Sequence, residues 1–102
     1  MSLIKDKQPT APQRVFASVT RKALRANPNT KAVAEELKID RATVYRHAKG
    51  MDLRLIRSFK DLDLSVKDMV RFIAHEMNQS NASVAEKLGV TQAYVSEVLN
   101  EN

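Results

Sequence analysis

Between Arg41 and Lys49 the chain concentrates two guanidinium groups, a phenol and an ammonium group, on Arg41, Tyr45, Arg46 and Lys49. A guanidinium fork donates in pairs to phosphate oxygens or to the two acceptors on a guanine edge, and an ammonium serves as a point charge for phosphate. At an offset of 51 residues the same four positions hold Gln92, Ser96, Glu97 and Asn100. That second set offers amides and a hydroxyl, suited to hydrogen-bonding a base edge, together with one carboxylate. Other chemistries find little to work with. No nucleophile has a matched base, no glycine loop is built to cradle phosphate, and the paired carboxylates Glu35 and Glu36 belong to a helix surface. Neither His47 nor His75 has a partner at metal-ligand spacing. The expectation is a protein that is not an enzyme and needs no cofactor and no metal.

The offset of 51 is a property of the whole chain. VAEELKIDRATV, from Val33, aligns with VAEKLGVTQAYV, from Val84, with six identities in twelve positions. Upstream, Val15, Val19, Ala23 and Asn27 align with Val66, Val70, Ala74 and Asn78. A supersecondary unit repeated once is therefore expected, with its core positions copied.

The elements that must carry these residues follow from apolar spacing and punctuation. Residues 1–11 lack periodicity and read as an N-terminal arm. A first unit over 12–50 opens at Pro12 and places Val15, Phe16, Val19, Ala23 and Leu24 at helical spacing. Asn27-Pro28-Asn29 stops that helix and Thr30 opens a short one with Val33, Ala34 and Leu37 inward. Asp40 is placed to cap a third helix running to about Ala48, and Gly50 closes the unit. Residues 51–64 are read as a helix that bridges the units and shares their cores, although Leu53, Leu55 and Phe59 also alternate as a strand would. The second unit covers 65–102: Ser65 and Asp68 resemble a capping box, and Val66, Met69, Val70, Ile73, Ala74 and Met77 form one stripe. A short helix at about 82–88, a turn at Gly89 and a last helix capped by Thr91 complete it. The fold class expected is all-α: two tandem three-helix units joined by a short bridging helix.

Composition agrees. Of 102 residues, 43% are hydrophobic and 28% charged, with two glycines and five aromatics, values of a helical globule. There is no cysteine, which fits a reducing compartment, and no apolar run long enough to span a membrane, so a cytoplasmic protein is expected. Charge is unequally divided. Residues 1–50 carry eleven Lys and Arg against four acids, a net of +7; residues 51–102 carry six against eight, a net of −2. The basic half points to a polyanionic partner.

Each unit satisfies the steric pattern of a helix-turn-helix. Ala34 and Ala85 let the next helix cross closely, Leu37 and Leu88 anchor the first helix, and Val44 and Val95 point the last helix into the core. Gly89-Val90 suits the left-handed turn. Lys38 stands at that turn in the first copy and would cost about 1–2 kcal/mol if it must be left-handed. SVAEKLGVTQAYVSEVLN (83–100) resembles the helix-turn-helix of lambda-type phage repressors. ATVYRHAKG (42–50) is similar to the recognition helix of resolvase/invertase or tetracycline-repressor-type domains. The chain thus resembles a tandem helix-turn-helix DNA-binding protein of phage, plasmid or transposon type.

This resemblance implies that the last helix of each unit enters the major groove of double-stranded DNA. With Val44 facing the core, Ala42, Tyr45, Arg46 and Lys49 lie opposite and Arg41 stands at the tip. Arg41 and Arg46 are then guanine or phosphate readers, Lys49 a phosphate ligand, and Tyr45 a stacking or phosphate-bonding group. Thr30, Lys31 and Thr43 complete the first contact set. In the second unit the resemblance assigns Gln92 to adenine, Asn100 to phosphate and Asn81 to the backbone, with Ala93, Ser96 and Tyr94 on or beside that surface. Glu97 puts a negative charge there. Arg14, Arg21 and Arg25, on one side of the first helix, read either as a phosphate-tracking stripe or as a face complementing Asp61, Asp63, Asp68 and Glu76. His47 is expected to be a packing residue, and Met51, Met69 and Met77 core fillers. The function expected is a sequence-specific transcriptional regulator, a repressor, working at the nucleoid. The alternatives are an accessory protein in segregation or transposition, or a second unit devoted to dimerisation or to a protein partner of the acidic half.

Overall fold

The computed structural model of the chain describes the backbone of residues 11–101 and the side chains of residues 16–101. The arm expected before the first helix, the inward packing of Val15 and the Arg14 end of the arginine stripe lie outside the described residues. The described chain is all-α, with helices α1 (Ala11–Ala26), α2 (Thr30–Leu37), α3 (Arg41–His47), α4 (Leu53–Asp61), α5 (Val66–Arg71), α6 (Asn81–Leu88) and α7 (Gln92–Asn100). A π-helical turn, Phe72–Glu76, extends α5. The particle measures 50 × 26 × 18 Å along its principal axes. Among the described residues no helix is long and apolar enough to cross a membrane.

Helix starts follow local hydrogen bonding. Asn29, rather than Thr30, caps α2: its side chain accepts from the Ala32 amide at 3.0 Å, and Thr30 is the first helical residue. Ser80, at the same place in the repeat, accepts from the Ser83 amide at 3.2 Å. Thr91 caps α7 through the Tyr94 amide, Ser65 caps α5 through the Asp68 amide, and Asp52 caps α4 through the Leu55 amide. Asp40 occupies the cap position of α3, but its side chain makes no capping bond.

The turns that follow α2 and α6 are built alike. Lys38 (φ 58°, ψ 45°) and Gly89 (φ 68°, ψ 34°) are both left-handed. Behind them Ile39 N–H donates to Ala34 O at 3.0 Å and Val90 N–H donates to Ala85 O at 2.9 Å, so both turns satisfy the last helical carbonyls by the same six-residue closure. Their surroundings differ. A β-carbon on Gly89 would stand 2.9 Å from Arg21 Cδ and 2.9 Å from Met51 Sδ, whereas Lys38 is exposed. At 89 a side chain would also press on the flexible side chains of Arg21 and Met51, which would have to shift; at 38 the cost is torsional alone.

Two clusters form the core. The first unit buries Leu24, Val33, Ala34, Val44 and Ala48. The second buries Met69, Val70, Ile73, Val84, Ala85, Leu88, Val95 and Val98, and α4 adds Ile56 and Phe59 to it. Met51 and Leu53 pack against both clusters, so α4 and its lead-in bridge the units as a helix and the strand reading of this segment falls away.

The repeat is less faithful upstream of the helix pairs than the sequence suggests. Val19 is 43% exposed and Phe16 36%, while Val70, the partner of Val19 at an offset of 51, is fully buried. The residues α1 buries are Thr20 and Leu24. α5 runs on into a π turn at Phe72–Glu76 that α1 lacks, and the two helices do not bury the same positions at an offset of 51. Met77, just past the π turn, is 36% exposed and so is not a core filler, and Phe72 lies edge-on to Phe59 at 5.4 Å.

Because Lys38 pays a torsional penalty with no compensating contact, Lys38→Gly should stabilise the protein by about 1 kcal/mol, the left-handed cost less the entropy glycine adds to the unfolded chain. Denaturant unfolding checks this. A fall in midpoint would show that the Lys38 side chain contributes more than its backbone costs.

Candidate nucleic-acid interface

The outward face of the first unit is assembled from both ends of its helix pair. α2 begins with Thr30 and Lys31; α3 carries Arg41, Ala42, Thr43, Tyr45 and Arg46, with Lys49 just past its end. Lys31, Arg41, Ala42, Tyr45, Arg46 and Lys49 are exposed, Thr30 and Thr43 partly so, while Val44 is fully buried beneath them. Thr30 Oγ1 donates to the Tyr45 hydroxyl at 3.3 Å, and Arg41 Nη2 donates to the same oxygen at 3.3 Å. The Arg41 guanidinium lies 5.8 Å from the Tyr45 ring centroid. The phenol oxygen thus has both neighbours as hydrogen-bond partners and remains exposed, where it can also bond a phosphate oxygen. The Thr30 hydrogen bond and the Arg41 charge hold the Tyr45 pKa below the ordinary tyrosine value. Arg46 Nη2 donates to Thr43 Oγ1 at 3.2 Å, which fixes the start of its reach.

The second unit repeats this construction with other side chains. Asn81, first in α6, donates through Nδ2 to Ser96 Oγ on α7 at 3.1 Å. Asn81 and Ser96 are the equivalents of Thr30 and Tyr45, so each unit ties the start of its middle helix to the fifth residue of its last helix. Gln92, Ala93, Ser96, Glu97 and Asn100 are exposed alongside. Tyr94 is not brought to this face: it is half-buried against the second core and lines a cleft toward α1.

Between the units lies a seam that sequence reasoning missed. Arg25 Nη1 donates to Leu88 O at 3.1 Å and to Gly89 O at 3.0 Å, satisfying carbonyls at the C-terminus of α6. Asp52 N–H donates to Lys87 O at 2.9 Å, and Arg57 Nη2 donates to Pro28 O at 3.0 Å. Within the first unit, Arg21 Nη1 reaches His47 O at 3.5 Å. Arg21 and Arg25 therefore hold backbone carbonyls rather than tracking an outer surface or pairing with the acids of the second half. Arg57 and Arg25 bond to groups 29 and 63 residues away, and no local pattern announces such pairs; the one visible signal was two arginines a helical turn apart on α1 without acids at helical spacing.

Behind α3, His47 packs as expected. Thr20 Oγ1 donates to Phe16 O at 2.9 Å, which spends its only proton, so the 2.9 Å contact with His47 Nδ1 has the imidazole as donor. Burial first, then the charges of Arg21 and Arg46, keep the His47 pKa below its ordinary value. Among the described residues no group of three metal-capable side chains converges. Comparisons with known protein families, curated proteins and solved structures find no match to the chain, so its functional reading rests on this geometry.

A histidine whose pKa is depressed by folding binds its proton more readily in the unfolded chain. Its contribution to stability is complete above about pH 6.5 and is lost as pH falls through that value toward the folded pKa. Melting temperature should drop between pH 7.5 and 5.5 by less in His47→Gln than in the wild type; equal slopes would remove His47 from the pH response.

Proposed function

We propose that this chain is a sequence-specific double-stranded DNA-binding regulator, a repressor acting at the nucleoid, in which two helix-turn-helix units present unlike reading faces. The observation that carries this reading is the doubled construction of the face. In both units a hydrogen bond from the start of the middle helix positions the fifth residue of an exposed last helix, over a buried valine, with small Ala42 or Ala93 allowing close approach. In the first unit the exposed groups are Lys31, Arg41, Arg46 and Lys49, and among the described residues none of them has an acid within 4.0 Å. That is the electrostatic footprint of a phosphate-binding surface. In this reading α3 and α7 enter major grooves, Arg41 and Arg46 read guanine edges or phosphate, and the exposed Tyr45 hydroxyl and Lys49 bind phosphate. Gln92 and Asn100 read an edge and the backbone in the second groove.

One observation favours a different role for the second unit. Glu97 is exposed at the centre of its outward face, where it would meet phosphate or a base. In that alternative α7 binds a protein partner or a second copy of the chain, and the first unit alone reads DNA.

Arg46→Ala should weaken binding to the specific duplex by about 1–3 kcal/mol while leaving the affinity for random duplex within a few-fold. If five phosphates are neutralised, wild-type affinity should fall roughly 500-fold for a fourfold rise in salt. Salt-independent binding, or an Arg46→Ala variant indistinguishable from wild type, would contradict the first-unit assignment. Glu97→Gln, which keeps shape and removes charge, should tighten binding severalfold if α7 meets DNA; unchanged affinity would move the second unit to the protein-partner role.

A further inference from the structure

The seam leaves a cleft of about 850 Å³ between α1 and the second unit. Its cations are Arg21, Lys22, Arg25, Lys49 and Lys60, and Glu86 is the acid among its lining residues. Leu64, Met69 and Val90 give it an apolar lining, and Tyr94 adds an aromatic ring. Among the described residues none of the five cations has an acid within 4.0 Å; the ion pairs that form join Lys67, Asp68, Arg71 and Glu101 elsewhere. Both guanidinium groups have a backbone anchor, two short bonds for Arg25 and one long one for Arg21. Arg21 is held on His47 O and Arg25 on Leu88 O and Gly89 O, each through Nη1, and no other nitrogen of either group is hydrogen-bonded within the described structure. Each therefore keeps donors for a ligand at a reduced ordering cost.

An apolar concavity with convergent, pre-positioned polar groups is the usual form of a small-molecule site. We propose that this cleft binds a small organic anion: a carboxylate or phosphate on a flat apolar body, with the oxyanion on Arg21 and Arg25 and the body against Tyr94 and the apolar lining. The ligand would touch both units at the seam, beside Lys49 at the end of the first reading face, and so stabilise one relative placement of the two faces over others. A phosphodiester lying in the cleft as part of bound DNA is the competing occupant. The apolar lining speaks against it, because a duplex backbone brings no apolar group to cover that surface.

The test uses the full chain without DNA and takes 1-naphthyl phosphate as probe, with backbone amide shifts as readout. The expected result is saturable shifts confined to Arg21–Arg25, Lys60–Met69 and Gly89–Tyr94, with affinity about tenfold or more above that for inorganic phosphate. Lys22→Gln combined with Lys60→Gln, two exposed positions that take no part in the seam, should weaken the probe about tenfold at unchanged melting temperature, whereas Arg54→Gln should not. Shifts without saturation, shifts centred on α3, inorganic phosphate binding as tightly as the naphthyl ester, or indifference to the paired substitution would each overturn the proposal. In a second, separate titration, displacement of the bound probe by a short duplex that shifts the same amides would overturn it as well. Because the probe is measured with no DNA present, its failure leaves the DNA-binding reading untouched.

Discussion

The charged contact that fastens the two units is the Arg25 guanidinium, beside the apolar bridge of Met51 and Leu53. Arg25 reaches from the end of α1 to the carbonyls of Leu88 and Gly89, at the negative end of α6. Those carbonyls lack helical partners, and a charged donor there is worth about 1.5–3 kcal/mol, more than a neutral hydrogen bond. The position is half-buried, and that burial lowers the Arg25 pKa without threatening its charge. Around this contact Asp52 N–H caps Lys87 O, Met51 enters both cores and Arg21 lies over Gly89. A unit of about fifty residues is near the lower limit for independent stability. The first unit, with five buried hydrophobic residues, gains most from being fastened to its larger neighbour.

The seam also accounts for how the two copies have diverged. The turn of the second copy is covered by Arg21 and Met51, so a side chain at 89 would have to displace them; the turn of the first faces solvent, and a lysine is tolerated there at a torsional cost. The inner alanines and valines remain alike, and all four are buried between their helices. The outer residues, free of that constraint, became basic in one unit and neutral-to-acidic in the other. Two linked faces of different chemistry gain from effective concentration and suit a site without internal symmetry.

Much of this was legible in the residues. Helical spacing located the helices, Gly89 and the Lys38 position marked the left-handed turns, and the offset of 51 aligned Ala34 with Ala85 and Val44 with Val95. The exposed positions of α3 followed from Val44 alone at 100° per residue. What could not be read has physical causes. Thr20 is buried because its hydroxyl is satisfied by Phe16 O and His47, a contact 27 residues long that no hydropathy pattern signals. The π turn after α5 has no apolar irregularity to mark it, and Val19 and Val70 align in sequence but not in burial. The seam is made of side chains reaching distant main-chain carbonyls, and every residue has a carbonyl; sequence carries no trace of which one is chosen.

The central claim is that a single chain holds two unlike DNA-reading faces at one fixed separation. Selecting bound duplexes from a random pool tests it most directly. The account predicts enrichment of a bipartite, non-palindromic site with one invariant spacing between its halves. A palindrome, a single short half-site, freely variable spacing, or no enrichment at low salt would contradict it.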